Sequence, residues 1–124
     1  MPQRPKTFIY PHRAKFAPEE LTTVTADGAI PIDQDRAFYI TKGSALAGSI
    51  AAPGAANIGR ILKFIGGSDF AHVLTFTGAT LHDGTTGGHA TATSPAFQGG
   101  GLVVQAVTAA KWSVVSNNLF VITT

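Results

Sequence analysis

Ser68, Asp69 and His72 bring a hydroxyl, a carboxylate and an imidazole within five positions, the residue types of a hydrolytic triad. Partners this close in sequence rarely reach triad geometry, and nothing around Ser68 resembles a nucleophile elbow. A turn in which Asp69 bonds local amides is the expected outcome. His82 and His89, with Asp83 beside them, face each other across a short predicted hairpin, an arrangement open to zinc or nickel. Their spacing matches no metal motif, so no metal site is assigned. Asp33-Gln34-Asp35 has the D-x-D of a calcium loop but lacks its glycine and distal glutamate, which leaves a structural loop. The seven acids all sit at turns or near the N-terminus, and no glycine pattern forms a phosphate cradle. Trp112 reads first as core, given its alternating neighbours, and second as a sugar-stacking platform. The expectation is a protein without catalytic residues or cofactors.

The elements that carry these residues read as short strands separated by turns. Leu21–Thr25 is β-branched and runs to Asp27-Gly28, and Ala37–Thr41 runs to Lys42-Gly43. Ala45–Ala52 alternates Leu46, Gly48 and Ile50 on one face and stops before Pro53-Gly54. Arg60–Ile65 stops at Gly66-Gly67, and His72–Thr77 stops at Gly78. Leu102–Thr108 and Lys111–Ser116 are joined by Ala109-Ala110, and Asn117-Asn118 turns the chain into Leu119–Thr123. Between Gly78 and Gly101 only Leu81 and Phe97 are large and apolar, which predicts one weak hairpin, Thr80–His82 against His89–Thr93. No long window carries a helical period, and the best helical candidate is a single turn at Pro18-Glu19-Glu20. The fold class is therefore all-β, a compact sandwich or barrel of short antiparallel strands with an extended N-terminal arm.

That arm, residues 1–20, differs from the β domain of residues 21–124. It holds four of the seven prolines, three aromatics (Phe8, Tyr10 and Phe16), and the basic residues Arg4, Lys6, Arg13 and Lys15. Proline at this spacing blocks a helix and favours extended backbone. Aromatic residues with arginine anchor interfaces, so the arm is expected to bind a partner.

Composition narrows the classes further. The 124 residues include 19 alanines, 15 threonines, 14 glycines and 6 serines, more than two-fifths of the chain, against 13% charged residues. An ordinary domain carries about 25% charge. Hydrophobicity is too high for disorder, and the absence of cysteine excludes a disulfide scaffold. A net charge of +2 does not suggest nucleic-acid binding, and no apolar run is long enough for a membrane helix. The basic start is followed only by Phe8, Ile9 and Tyr10, which does not make a signal peptide, so synthesis in a cytoplasm is expected.

Several stretches together are similar to a known group. Asp27-Gly-Ala-Ile30, Ala37-Phe-Tyr-Ile-Thr-Lys42 and Ala45-Leu-Ala-Gly-Ser-Ile-Ala-Ala-Pro53 resemble the opening of many small phage virion proteins. Gly59–Ile65, Ala71–Phe76 and the tail Gly101–Ser116 with its Lys111-Trp112 continue the likeness, which covers roughly 27–123. The resemblance implies a β module of the capsid decoration (cement) or head-fibre type from double-stranded DNA phages, commonly a homotrimer, with no catalytic residues. Without a long fibre, coiled coil or second receptor-binding domain, this chain fits decoration better than a tail fibre. The expectation is a virion protein on the capsid exterior, made in the host cytoplasm and bound to the major capsid protein. Arg4, Lys6, Phe8, Tyr10, Arg13, Lys15 and Phe16 form its capsid-binding arm. The alternative is a tail or head-fibre adhesin that binds a host-surface glycan through Trp112 and the loops of 78–101.

Overall fold

The computed structural model describes residues 20–85 and 87–124. The N-terminal arm and its capsid-binding residues, and the helical turn at 18–20, fall on residues 1–19 and so lie outside the described residues, apart from Glu20. The described chain forms two β-sheets packed face to face. One holds β1 (Leu21–Val24), β3 (Arg36–Ile40), β5 (Ile61–Gly66), β7 (Thr80–His82), β9 (Gly101–Thr108) and β10 (Lys111–Asn118). The other holds β2 (Gly28–Ala29), β4 (Ala47–Ala51), β6 (Val73–Thr77), β8 (Thr91–Thr93) and β11 (Val121–Thr123). A single 3-10 turn, Ala55–Asn57, interrupts the connection between β4 and β5.

Period-two alternation sorts side chains to the core in each strand. In β5, Leu62 and Phe64 are fully buried while Ile61, Lys63 and Ile65 face outward, and β9 repeats the pattern with Leu102, Val104 and Ala106. Phe38 of β3 stacks on Phe64 at 5.5 Å between ring centroids. From the second sheet Ile50, Leu74, Phe76 and Ala92, joined by Phe120 just before β11, close onto the same core. Small residues permit the tightest approaches. A Cβ on Gly67 would stand 2.6 Å from the Tyr39 ring and 2.9 Å from the Ile40 carbonyl oxygen, so only glycine fits there.

The sandwich expected from sequence is present, but its strands are not uniformly antiparallel. Five of the nine strand pairs among the described residues are parallel. From β1 to β9 the chain alternates sheets at every step, so strands that neighbour in one sheet are separated by a strand of the other. A chain that crosses over and returns re-enters the first sheet in its original direction, and the pair is parallel. Asp27-Gly28, Lys42-Gly43, Pro53-Gly54 and Gly66-Gly67 all turn the chain, as their residue types indicate, but they turn it into the opposite sheet. The ladder β1–β3–β5 in one sheet and β2–β4–β6 in the other therefore wind as successive coils. From β8 onward the pattern changes. β9 pairs antiparallel with both β5 and β10, and β8 pairs antiparallel with both β6 and β11.

The predicted hairpin of residues 80–93 is also revised. Leu81 and His89 form one antiparallel bridge, but Thr91–Thr93 continues as β8 in the other sheet. β7 itself lies parallel to the start of β10.

Candidate interaction surface

The residues that suggested hydrolysis do meet, in an arrangement that serves structure. His72 is fully buried, and its Nε2 lies 2.9 Å from Ser68 Oγ. The Leu46 amide donates to His72 Nδ1 at 3.0 Å, so that nitrogen holds the lone pair. The neutral ring then carries its proton on Nε2 and donates it to Ser68, whose own hydroxyl donates to the Lys42 carbonyl at 2.7 Å. Such wiring directs the Ser68 proton away from the imidazole. Burial pushes His72 below its ordinary pKa, and the nearby Lys42 charge adds to the effect. Asp69 does not touch the ring. It accepts the Gln98 amide at 3.3 Å, a contact between distant loops where a local turn bond was expected. Together with the Ser94 hydroxyl, which accepts the His72 amide at 2.9 Å, these groups clasp three connections at one end of the sandwich.

The two surface histidines are engaged separately. His82 Nε2 lies 2.8 Å from Thr80 Oγ1. His89 Nε2 lies 3.3 Å from Asp83 Oδ1 and 3.0 Å from Thr85 Oγ1. The Thr85 hydroxyl and amide hold the Asp83 carboxyl below the usual carboxylate range, with a smaller contribution from His89. Among the described residues no three His, Asp or Glu side chains converge to hold a metal. Asp35 anchors the Asp33-Gln34-Asp35 loop by accepting the Ile61 amide at 3.0 Å and pairing with Arg60 at 3.5 Å. The sugar-platform reading of Trp112 is overturned. The indole is fully buried, it packs edge-on with Phe76 at 6.4 Å between ring centroids, and its Nε1–H donates to the Ala51 carbonyl at 3.0 Å.

Charge, by contrast, divides the molecule, whereas exposed apolar side chains occur on both sides of the division, with Leu21, Ile58 and Phe70 in the earlier part. Ten charged residues lie from Glu20 to Asp83, and from residue 84 to 124 Lys111 is the only one. Many of the first group are paired. Lys42 bonds Asp27 at 2.7 Å, for example, and that contact together with the Ala47 amide holds the Asp27 carboxyl below its ordinary pKa. The uncharged stretch carries large apolar side chains in the open. Phe97 is 75% exposed, Leu119 67%, Val115 61% and Val121 59%. Val115 occupies a register shift in β10, between Val114 and Ser116. Phe97 and Leu119 sit on adjoining loops, since Gly100 lies against both Pro95 and the Asn118 carbonyl. Asp69, held to Gln98, marks the border of this region.

Leu119 is unusual in its backbone as well. Asn117 clasps the turn by accepting the Phe120 amide at 3.0 Å and donating to the Phe120 carbonyl at 2.9 Å. Leu119 is thereby held at φ 76°, the left-handed region, where no other non-glycine residue of the described chain is found. That conformation costs leucine about 1 kcal/mol, and asparagine or glycine much less. Sequence pattern alone places Leu119 at the start of a strand and misses this surface. The signal available was the near-total loss of charge after Asp83.

No protein-family model, curated protein or solved structure matches this chain.

Proposed function

We propose that the protein is a bacteriophage capsid decoration protein, which binds the exterior of the head shell as a homotrimer and stabilises it. The observation that carries this reading is the division of the chain into two unlike parts. A basic, proline-rich and aromatic segment precedes the edge strand β1, and from β1 onward the chain is a sparsely charged β-sandwich with lean connections. The resemblance over 27–123 to small phage virion proteins points the same way. In this reading the sandwich is a rigid seat, and Arg4, Lys6, Phe8, Tyr10, Arg13, Lys15 and Phe16 contact the major capsid protein. Twenty extended residues span up to about 60 Å, enough to cross from one shell subunit to its neighbour. Three such arms acting together multiply modest contacts into firm attachment. The role requires no cofactor and no catalytic group.

Co-sedimentation with expanded phage shells tests the reading. The full chain should pellet with shells, and replacing Phe8, Tyr10 and Phe16 together with alanine should weaken binding at least tenfold without altering the far-ultraviolet circular dichroism. Equal binding by the triple variant would show the arm contact to be wrong.

A further inference from the structure

We propose that His72 is the catch of an acid-operated latch, which holds the 42–46 connection against the sandwich while the imidazole is neutral and releases it when the ring takes a second proton. Both ring nitrogens grip this one connection. His72 Nδ1 accepts the Leu46 amide at 3.0 Å, and Nε2 reaches the Lys42 carbonyl through the Ser68 hydroxyl, in steps of 2.9 and 2.7 Å. The connection joins β3 to β4, and Gly43, Ser44 and Ala45 within it are exposed, so it has room to lift outward.

The second proton must go to Nδ1, where it points at the Leu46 N–H. A buried acceptor then becomes a donor facing a donor. Such a pair is costly because neither group can turn to water where it stands. The added charge finds no relief nearby. Lys42, on the connection itself, repels it. Asp69, on the loop that carries the imidazole, is turned to the Gln98 amide. From the 94–100 loop the ring's segment meets only the neutral Ser94 hydroxyl, which accepts the His72 amide. β4 and β6, which continue from Leu46 and His72, carry no ionisable side chain. Movement of 43–46 away from the ring removes the clash of donors and admits water to the imidazolium.

The opening is local because both ends of the connection are pinned by groups that do not titrate with the ring. Before it, the Thr41 amide bonds the Val24 carbonyl at 3.0 Å. After it, Asp27 Oδ1 accepts the Ala47 amide at 2.9 Å and Lys42 Nζ at 2.7 Å. Those two bonds hold the Asp27 carboxyl below its ordinary pKa, so it stays charged while His72 protonates. The Val73 amide retains the Leu46 carbonyl at 2.8 Å, which places the hinge at Leu46 and leaves β4 in register with β6. The latch is closed above about pH 6.5 and opens as pH falls through the folded-state value of His72, which burial lowers. It is independent of any capsid contact.

Amide hydrogen exchange of the full chain, resolved by NMR between pH 7.5 and 4.5, provides the test, with each rate expressed relative to the unfolded rate at the same pH. Protection of the Leu46 amide should fall at least tenfold further than that of Phe76, whose amide bonds the Ala90 carbonyl within the second sheet. In His72→Gln the side chain offers a carbonyl to Leu46 and an amide to Ser68 without titrating, and this excess loss should disappear. Leu46 protection that does not change with pH would overturn the proposal. Equal losses at Leu46 and Phe76 would do the same, since the whole sandwich would then be yielding to acid. An excess loss that persists in His72→Gln would place the titrating group elsewhere, and the latch would again be wrong.

Discussion

Strands β1 to β6 and strands β8 to β11 build the same sandwich by different means. The first group winds from sheet to sheet, pairs in parallel, and pins its connections with ion pairs and carboxylates that accept backbone amides, as Asp27 does with Lys42 and Ala47. The second group pairs antiparallel within itself, though β10 meets β7 in parallel, carries a single charge, and leaves Val115, Leu119 and Val121 in the open. Both bury large apolar residues in one shared core. The difference lies in charge, which the first region spreads along its connections and the second nearly lacks, while both leave some large apolar side chains exposed.

Whether the two regions melt as one is the most severe test of this contrast. Phe64 lies where they join, on the strand paired in parallel with β3 and antiparallel with β9. Phe64→Ala should cost about 3–5 kcal/mol through the cavity it leaves. Urea unfolding followed by Trp112 fluorescence, which reports the second region, and by circular dichroism, which reports both, should give coincident transitions. Separate midpoints would mean that the halves fold independently.

Next in size is Gly67→Ala, confined to the first region. The added methyl meets the Ile40 carbonyl and the Tyr39 ring, and a loss of about 2 kcal/mol is expected from overpacking. A melting temperature unchanged from wild type would show that the β3–β4 and β5–β6 connections can yield.

The His72 clasp links the regions through Ser94 and responds to pH. Its pKa is lowered in the folded state, so the unfolded chain binds the proton more readily. Stability from this group is fully present above about pH 6.5, the unfolded value, and is lost as pH falls through the folded value. Between the unfolded and the folded value the slope can approach about 1.4 kcal/mol per pH unit, and below the folded value it vanishes. Denaturant titrations between pH 7.5 and 5 should show it in wild type and not in His72→Gln. The smallest effect belongs to the second region alone, where Leu119→Asn should stabilise the dissociated chain by about 0.5–1 kcal/mol in the same titration.

Much of the fold can be read from residue pattern, because alternation and turn chemistry are local. Leu62 and Phe64 against Lys63, or Pro53-Gly54 after Ile50, specify strand and turn without reference to the rest of the chain. Which sheet a turn leads into is set by packing between distant strands, and no residue near Asp27-Gly28 or Lys42-Gly43 encodes it. For that reason residue pattern suggests antiparallel pairing where the chain winds in parallel. Two-residue β2 is illegible for a related reason, since Gly28 and Ala29 acquire strand character only by pairing with Gly48 and Ser49. Closeness in sequence suggests that Ser68 and His72 stay apart, yet they meet at 2.9 Å, and the Leu46 amide occupies the Nδ1 position that the carboxylate of a triad would take. The exposed apolar end is less legible. Val115 and Leu119 look like ordinary strand residues until a register shift and a left-handed turn push them outward.

The alternating course of the chain also has a consequence for how it reaches this state. Leu21 pairs with Ala37 and Ala37 with Lys63, while Gly28 pairs with Gly48 and Gly48 with Leu74, separations of 16, 26, 20 and 26 residues. Among the described residues, β9–β10 is the one pair of consecutive strands joined as a hairpin, and it lies in the last quarter of the chain. A ribosome therefore releases most of the sequence before the one locally closing element exists. Folding must wait for loop closures that are entropically slow, on the order of milliseconds to seconds for such topologies. The nucleus is expected to gather around the final hairpin, with the earlier coils condensing onto it in reverse of the order in which they were made.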